Sequence, residues 1–324
     1  MNSTRALRST NQSLDGWFRW VKPMHSHSDV SAPLMTLSFD VEEHYRIEAA
    51  SGIDVDLKLQ GDYRERMRLV TEWILEQLHE REILATFFVL GQIAESNPKL
   101  VRSIADAGHE VACHGWDHRR ILTMDRPMFW EDIRRSKDAL EQASGSRVVG
   151  YRAPTFSIVR RTAWAIDVLA EAGMSYDSSI YPIRHDRYGV PDAPQHPFVV
   201  RGVEREILEI PPATLRMGRL NIPVGGGGYF RLLPYPVTRL ALSLSRRDHR
   251  CRASMMYFHP WEFDPGQPSL PLGGASRFRT YHGIGRGRRR LARLMSEFSF
   301  IRGVDLASQL VANSDDLPRF SLTR

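Results

Sequence analysis

Short β-prone runs alternate with amphipathic helical segments from Leu34 onward. The runs are 34–40, 85–90, Glu110-Val111-Ala112-Cys113, Val148-Val149-Gly150-Tyr151-Arg152 and Met174-Ser175-Tyr176-Asp177. Between them lie segments at helical period: 64–81 with Val70, Ile74, Leu75 and Leu78 on one face, then 127–142, then 162–172 stopped by Gly173. A further helix is marked by Asn97 as N-cap, Pro98 in its first turn, Val101, Ile104 and Ala105 as its stripe, and Gly108 as its stop. This alternation predicts parallel strands joined by crossover helices, an α/β architecture whose functional residues gather at the C-terminal ends of the strands. Asp40, His114, Arg152 and Asp177 all fall at such ends.

Chemistry concentrates in Cys113-His114-Gly115-Trp116-Asp117-His118, where two imidazoles stand four residues apart directly after a strand. A zinc-protease helix requires Glu directly after the first His, and Gly115 occupies that place. A helix would carry both rings on one face, and a tight turn leaving the strand converges them equally well. Taken alone, the spacing also suits two hydrogen-bonded surface histidines.

The first strand delivers Asp40, Glu42, Glu43 and His44, and the later run 254–258 delivers His259-Pro260-Trp261-Glu262. Four consecutive glycines, 225–228, lack any phosphate-loop frame and read as a mobile loop bordering a site or as a plain linker. Arginines crowd 277–293, where Leu291, Leu294 and Phe298 share a helical period, so a solvated helix face is the expectation. Residues 1–33 lack an apolar core for a secretory signal and are expected to form a disordered arm, with Met35 an alternative start. With 42% hydrophobic and 25% charged residues, and no apolar run near the roughly 20 residues a membrane helix needs, the expectation is a soluble, cytoplasmic protein. Two cysteines, Cys113 and Cys251, supply no disulfide framework and are expected as free thiols. The net charge of +6 admits an acidic polymer, a membrane surface or nucleic acid as partner.

Taken in order, Ser38-Phe39-Asp40, His114 with His118, Arg152-Ala153-Pro154-Thr155-Phe156, Asp177 and Phe258-His259-Pro260 resemble the five motifs of the NodB-type polysaccharide deacetylases, carbohydrate esterase family 4. The run 223–235 and the segment 278–294 further resemble the subfamily found with exopolysaccharide and exosortase gene clusters, which carries a C-terminal extension. The resemblance implies a distorted (β/α) barrel over 34–265, an extension over 266–324 packing on it, and a divalent metal, usually zinc. It also implies hydrolysis of N-acetyl groups from amino sugars of a polysaccharide or oligosaccharide. By position, Asp40 becomes the general base, Arg152 its partner, His114 and His118 metal ligands, His259 the general acid, and Asp177 the residue that helps hold His259.

The chain departs from the family where a second aspartate should follow the base: Val41 stands there and cannot bind metal. An extended chain returns alternate side chains to one face, so Glu42 is expected as third ligand ahead of Glu43 or His44. Two imidazoles, a carboxylate and an open position suit hydrolytic zinc and other first-row ions. Trp116, Tyr151, Phe156 and Trp261 flank the motifs and offer flat faces for sugar rings. Rival readings are a metal-free cyclic-amide hydrolase of the same fold, against which the two histidines and carboxylate speak, and a non-catalytic polysaccharide-binding module, which needs neither base nor acid. Nucleic-acid binding through the arginine-rich helix lacks any reader motif.

Overall fold

The computed structural model describes residues 34–185, 187–245, 253–312 and 314–323. The arm expected over 1–33 and the thiol of Cys251 lie outside the described residues.

Eleven strands are present among the described residues: β1 (Leu34–Val41), β2 (Thr86–Val89), β3 (Glu110–Cys113), β4 (Gly150–Tyr151), β5 (Tyr176–Asp177), β6 (Phe198–Arg201), β7 (Glu206–Glu209), β8 (Thr214–Met217), β9 (Leu220–Pro223), β10 (Ala253–Phe258) and β11 (Arg319–Ser321). Nine form one sheet in the order β10-β1-β2-β3-β4-β5-β7-β6-β11, and β8 and β9 form a separate hairpin. Every pairing in the large sheet is parallel except β6 with β7. Just past β7 the chain swings back to β10, where Pro212 bridges Met255 and the Ala213 N–H donates to the Met255 carbonyl at 2.9 Å. Among the described residues only such isolated bridges link the chain beyond β7 to β10, where a regular barrel has a ladder, so the sheet is mixed α/β with mostly parallel strands and does not close as a regular barrel.

The helices are α1 (Leu57–His79), α2 (Gly91–Ser96), α3 (Pro98–Asp106), α4 (Arg126–Ser144), α5 (Trp164–Glu171), α6 (Gly227–Leu232), α7 (Tyr235–Ser245), α8 (Gly274–Tyr281), α9 (Ile284–Glu297) and α10 (Gly303–Val311). Capping chemistry places their ends. Asn97 accepts from the Leu100 N–H, and Gly108 turns the chain out of α3 at φ +83°. The helix expected from Arg64 begins seven residues earlier because Asp56 caps it, accepting from the Leu59 N–H at 2.9 Å. Leu59 and Tyr63 carry the apolar stripe into these first turns, but Gly61 and the charged residues around them break the pattern that periodicity reads.

The glycine run is not a plain linker: it borders the site, packed against β10 and Glu262. A Cβ on Gly225 would stand 2.7 Å from the Ala213 nitrogen and the Met255 carbonyl, one on Gly226 would stand 2.5 Å from the Tyr257 hydroxyl, and one on Gly227 would collide with the Glu262 carboxylate. Glycine is required here for close backbone approach to β10, after which the chain turns directly into α6.

Arg286, Arg288, Arg289 and Arg293 of α9 are exposed, as expected of a solvated face, while two of its arginines also reach back to the body of the protein. Arg290 donates to the Phe230 and Leu233 carbonyls at 2.7 and 2.8 Å, closing the C-terminal end of α6, and Arg288 donates to the Phe263 carbonyl. The chain after α9 is stitched to the N-terminal end of the barrel: the Gly303 N–H donates to Thr86 Oγ1 and the Val304 N–H to Glu110 Oε2. Among the described residues no helix is long and apolar enough to cross a membrane.

Candidate active site at the strand ends

At the end of β1 the side chains alternate. Val41 is fully buried in the core, while Asp40 and Glu42 turn to the opposite side and line a cavity of about 170 Å³. Glu43 turns away to pair with Arg46 at 2.6 Å. Arg46 in turn donates to the Asp117 carbonyl and to Gln92 Oε1, bracing the loop that carries the histidines. His44 stacks on Trp261 with ring centroids 5.0 Å apart, outside the cavity lining. Of the three candidates for the third ligand, only Glu42 reaches the histidines.

His114 and His118 sit on a loop, not a helix. Gly115 at φ +80° and His118 at φ +67° fold this turn so that the two rings come within 5.3 Å. A non-glycine residue in the left-handed region is sparsely populated and costly, and such residues cluster where a site requires them. Thr155 and Phe156, in the motif after Arg152, share that conformation. His114 Nδ1 lies 2.8 Å from the Arg152 carbonyl, which makes Nδ1–H the donor and turns the Nε2 lone pair toward Glu42. Burial pulls the His114 pKa down to about 4, so this ring is neutral and able to act as a ligand.

Asp40 is held by Arg152, which is fully buried and donates to Asp40 Oδ1 at 2.5 Å, to Ser38 Oγ at 2.9 Å and to Ser178 Oγ at 3.0 Å. The pairing expected for these two residues is therefore present.

Asp177 does not reach His259. It accepts from Ser179 Oγ, which itself accepts from the Ala153 N–H at 2.7 Å, so Asp177 supports the loop after Arg152. Its other neighbour is Glu209, and both carboxyls are fully buried. Burial raises Asp177 to about 6, and burial with the Asp177 charge raises Glu209 well above the usual carboxylate range, so the pair holds one proton between them. An acid whose folded pKa is raised stabilises the fold fully below its unfolded pKa, near 4, and loses that contribution as pH rises through the folded value. Glu209→Gln, which keeps an amide donor at that position, is expected to flatten the fall in urea midpoint as pH rises above about 4. An unchanged pH slope in that variant would remove the shared proton.

His259 follows β10, and its holder is Glu262, three residues on. Glu262 Oε2 accepts from the His259 N–H at 3.0 Å and lies 3.3 Å from Nδ1. His259 Nε2 points into the cavity, 3.9 Å from Asp40 Oδ2 and 3.7 Å from Glu42 Oε1. Burial pulls its pKa down, but the Glu262 hydrogen bond and the charges of Glu42, Glu262 and Asp40 outweigh burial and raise it to about 9. Spacing hid none of this: a carboxylate three residues beyond the histidine was on view, but it had no family motif to mark it.

Two of the four expected aromatic platforms face the cavity, Phe156 and Trp261. Trp116 packs against Gly91 with the Arg135 guanidinium 3.5 Å over its ring, and Tyr151 is a core residue set edge-on to Phe129. Both failed as platforms for one reason: their side chains point to the helix layer. Tyr188 and Tyr257, which sequence reasoning missed, complete the aromatic wall with Phe156.

Glu42, His114 and His118 present ligand atoms all within 4.8 Å of one another. His118 Nε2 is 2.6 Å from Glu42 Oε2, yet that buried oxygen receives no well-directed hydrogen bond. An orphaned carboxylate oxygen facing two imidazole nitrogens, one of them tautomerically fixed, fits a divalent cation of first-row type. Burial raises the Glu42 pKa, but His118 and then His259 outweigh it and bring it down to about 2, so it stands ionised.

Fold and cluster together define an α/β barrel protein with a two-histidine, one-carboxylate centre at its strand ends. Residues 61–176 match the polysaccharide deacetylase family, and residues 178–308 match a domain of unknown function, DUF3473. The chain carries a polysaccharide deacetylase domain of the NodB, carbohydrate esterase family 4 type, continued by the DUF3473 segment. It is 28% identical over 107 residues to the peptidoglycan-N-acetylglucosamine deacetylase PgdA of Listeria monocytogenes, covering 30% of this chain and 23% of that protein. It is 34% identical over 102 residues to a chitooligosaccharide deacetylase of Rhizobium leguminosarum bv. trifolii, covering 32% of this chain and 45% of that protein. The chain thus spans less than half the length of either relative. A polysaccharide deacetylase candidate from Mycobacterium smegmatis shares the fold at TM-score 0.60 and 23% identity, covering 92% of this chain and 97% of that one.

Proposed function

We propose that this protein is a metal-dependent hydrolase that removes N-acetyl groups from amino sugars of a polysaccharide or oligosaccharide, in exopolysaccharide or cell-envelope glycan metabolism. The observation that carries the reading is the convergence of Glu42, His114 and His118 beside two separately braced groups, Asp40 on Arg152 and His259 on Glu262. A binding module has no use for a braced base and a braced acid on either side of a cation site, and a metal-free cyclic-amide hydrolase has no use for the cation site.

Glu42, His114 and His118 would hold the ion, with zinc the best match to this donor set. Bound there, a divalent ion lowers the pKa of water and polarises an amide carbonyl. The chain's own groups do the rest. Arg152 occupies Asp40 Oδ1, which leaves Oδ2 facing the cavity to take a proton from the attacking water. The Glu262 carboxylate at Nδ1 favours the imidazolium form of His259, so that Nε2–H delivers a proton to the departing sugar nitrogen. At about 170 Å³ the cavity is smaller than the roughly 300–1,000 Å³ that encloses a whole small ligand. It suits the acetamido end, with the sugar lying against Phe156, Tyr188 and Trp261.

The test is acetate release from a panel of N-acetylated oligosaccharides, with and without added zinc. Release from at least one amino-sugar substrate, lost on chelation, supports the reading; metal-independent release sinks it. His259→Ala is expected to lower kcat by about 100-fold or more with KM less affected, because the acid acts on the leaving group and not on binding. Near wild-type kcat in that variant would remove His259 as the acid.

A further inference from the structure

The carboxylate that holds His259 is itself held by Arg231 of α6, and all three residues lie in the 178–308 segment. Glu262 and Arg231 are 1% and 2% exposed. The two oxygens of Glu262 are divided between them: Oε2 serves His259, and Oε1 accepts from Arg231 Nε at 3.0 Å. The other guanidinium nitrogens donate to the carbonyls of Thr280 at 2.9 Å, His282 at 2.8 Å and Arg279 at 3.3 Å, all at the C-terminal end of α8. The guanidinium is therefore fixed in its plane by four protein partners. Space for this arrangement is made by glycine: a Cβ on Gly227 would collide with the Glu262 carboxylate, and one on Gly283, at φ +80°, would stand 2.6 Å from the Arg231 carbonyl.

Stability does not explain the pair. A buried ion pair is often no more stable than well-packed apolar residues of the same volume, so its aim at one imidazole nitrogen is the informative feature. We propose that Arg231 and Glu262 are positioning residues through which α6 and the end of α8 set the ring of His259, so that the DUF3473 segment supplies both this imidazole and its brace. This rests on the reading of His259 as proton donor.

A double-substitution cycle on the full metal-loaded chain tests it. Glu262→Gln and Arg231→Lys are expected to lower kcat about 10- to 100-fold, the usual effect of removing a group that orients a working side chain, with KM and bound metal changed less than about twofold. In a His259→Ala background the same substitutions should cost less than about twofold further, since they act through that ring. An equal loss in both backgrounds, or no loss in either, overturns the proposal. An NMR readout needs no turnover: the downfield Nδ1–H proton signal of His259 should be lost or displaced in Glu262→Gln, and an unchanged signal overturns the relay even if Arg231→Lys does not fold. Should the wild-type chain release no acetate, or His259→Ala release it at the wild-type rate, the functional reading fails, while the proton signal still decides whether the pair sets the ring.

Discussion

Asp40→Asn is expected to reduce acetate release by about 10³-fold or more while the chain still binds about one divalent ion. Asparagine keeps the size of the side chain and an oxygen for Arg152 to donate to, so the buried guanidinium retains a partner and the fold survives. What changes is the atom facing the cavity, where Asp40 Oδ2 gives way to an amide nitrogen that cannot take a proton. The metal site is untouched because Asp40 lies outside the triad of Glu42, His114 and His118. Elemental analysis and turnover on the same preparation decide the matter. A variant that keeps more than about a tenth of wild-type kcat would mean that another group, or none, serves as base.

The second large effect concerns the ligand at the departure from the family pattern. Glu42→Ala should weaken metal affinity by at least about tenfold, since only two neutral imidazoles remain to hold a dication. Glu43→Ala should retain metal and most activity. Its carboxylate pairs with Arg46, so its loss loosens the brace on the Asp117 carbonyl without touching the cavity. His44→Ala should likewise leave affinity in place, because that ring packs among Trp261, Tyr63 and Tyr281. Zinc titrations of the three variants separate these outcomes, and undiminished affinity in Glu42→Ala would sink the assignment.

Much of this site was legible before any coordinates, for a simple reason: strand ends and helix caps are local. Period and capping residues placed β1 to β5 and α3 to α5 to within a few residues, and that placement put Asp40, His114, Arg152 and Asp177 at one end of a parallel sheet. Alternation along β1 was enough to choose Glu42 over Glu43, because Val41 had to enter the core. Motif order supplied the pairing of Arg152 with Asp40, which 112 residues of intervening chain conceal from any local argument.

Contacts made across the sheet were decided only by tertiary structure. Asp177 and His259 stand at strand ends alike, yet Asp177 is in register with Glu209 on the adjacent β7 and turns to it and to Ser179, which leaves His259 to Glu262. The glycine run carries no sign of whether its lack of side chains serves freedom or proximity, and the answer depends on Tyr257 and Glu262 arriving from a distant segment. The same holds for Trp116 and Tyr151, whose rings are as flat as those of Phe156 and Trp261 but point to the helix layer. The sequence by itself determined the alternating α/β plan and the residue types at its strand ends, since both follow from period and position along one segment. Which of those residues meet, which aromatic faces the cavity, and that Arg231 stands behind the imidazole of His259 depend on how segments far apart in the chain pack, and no local period encodes that.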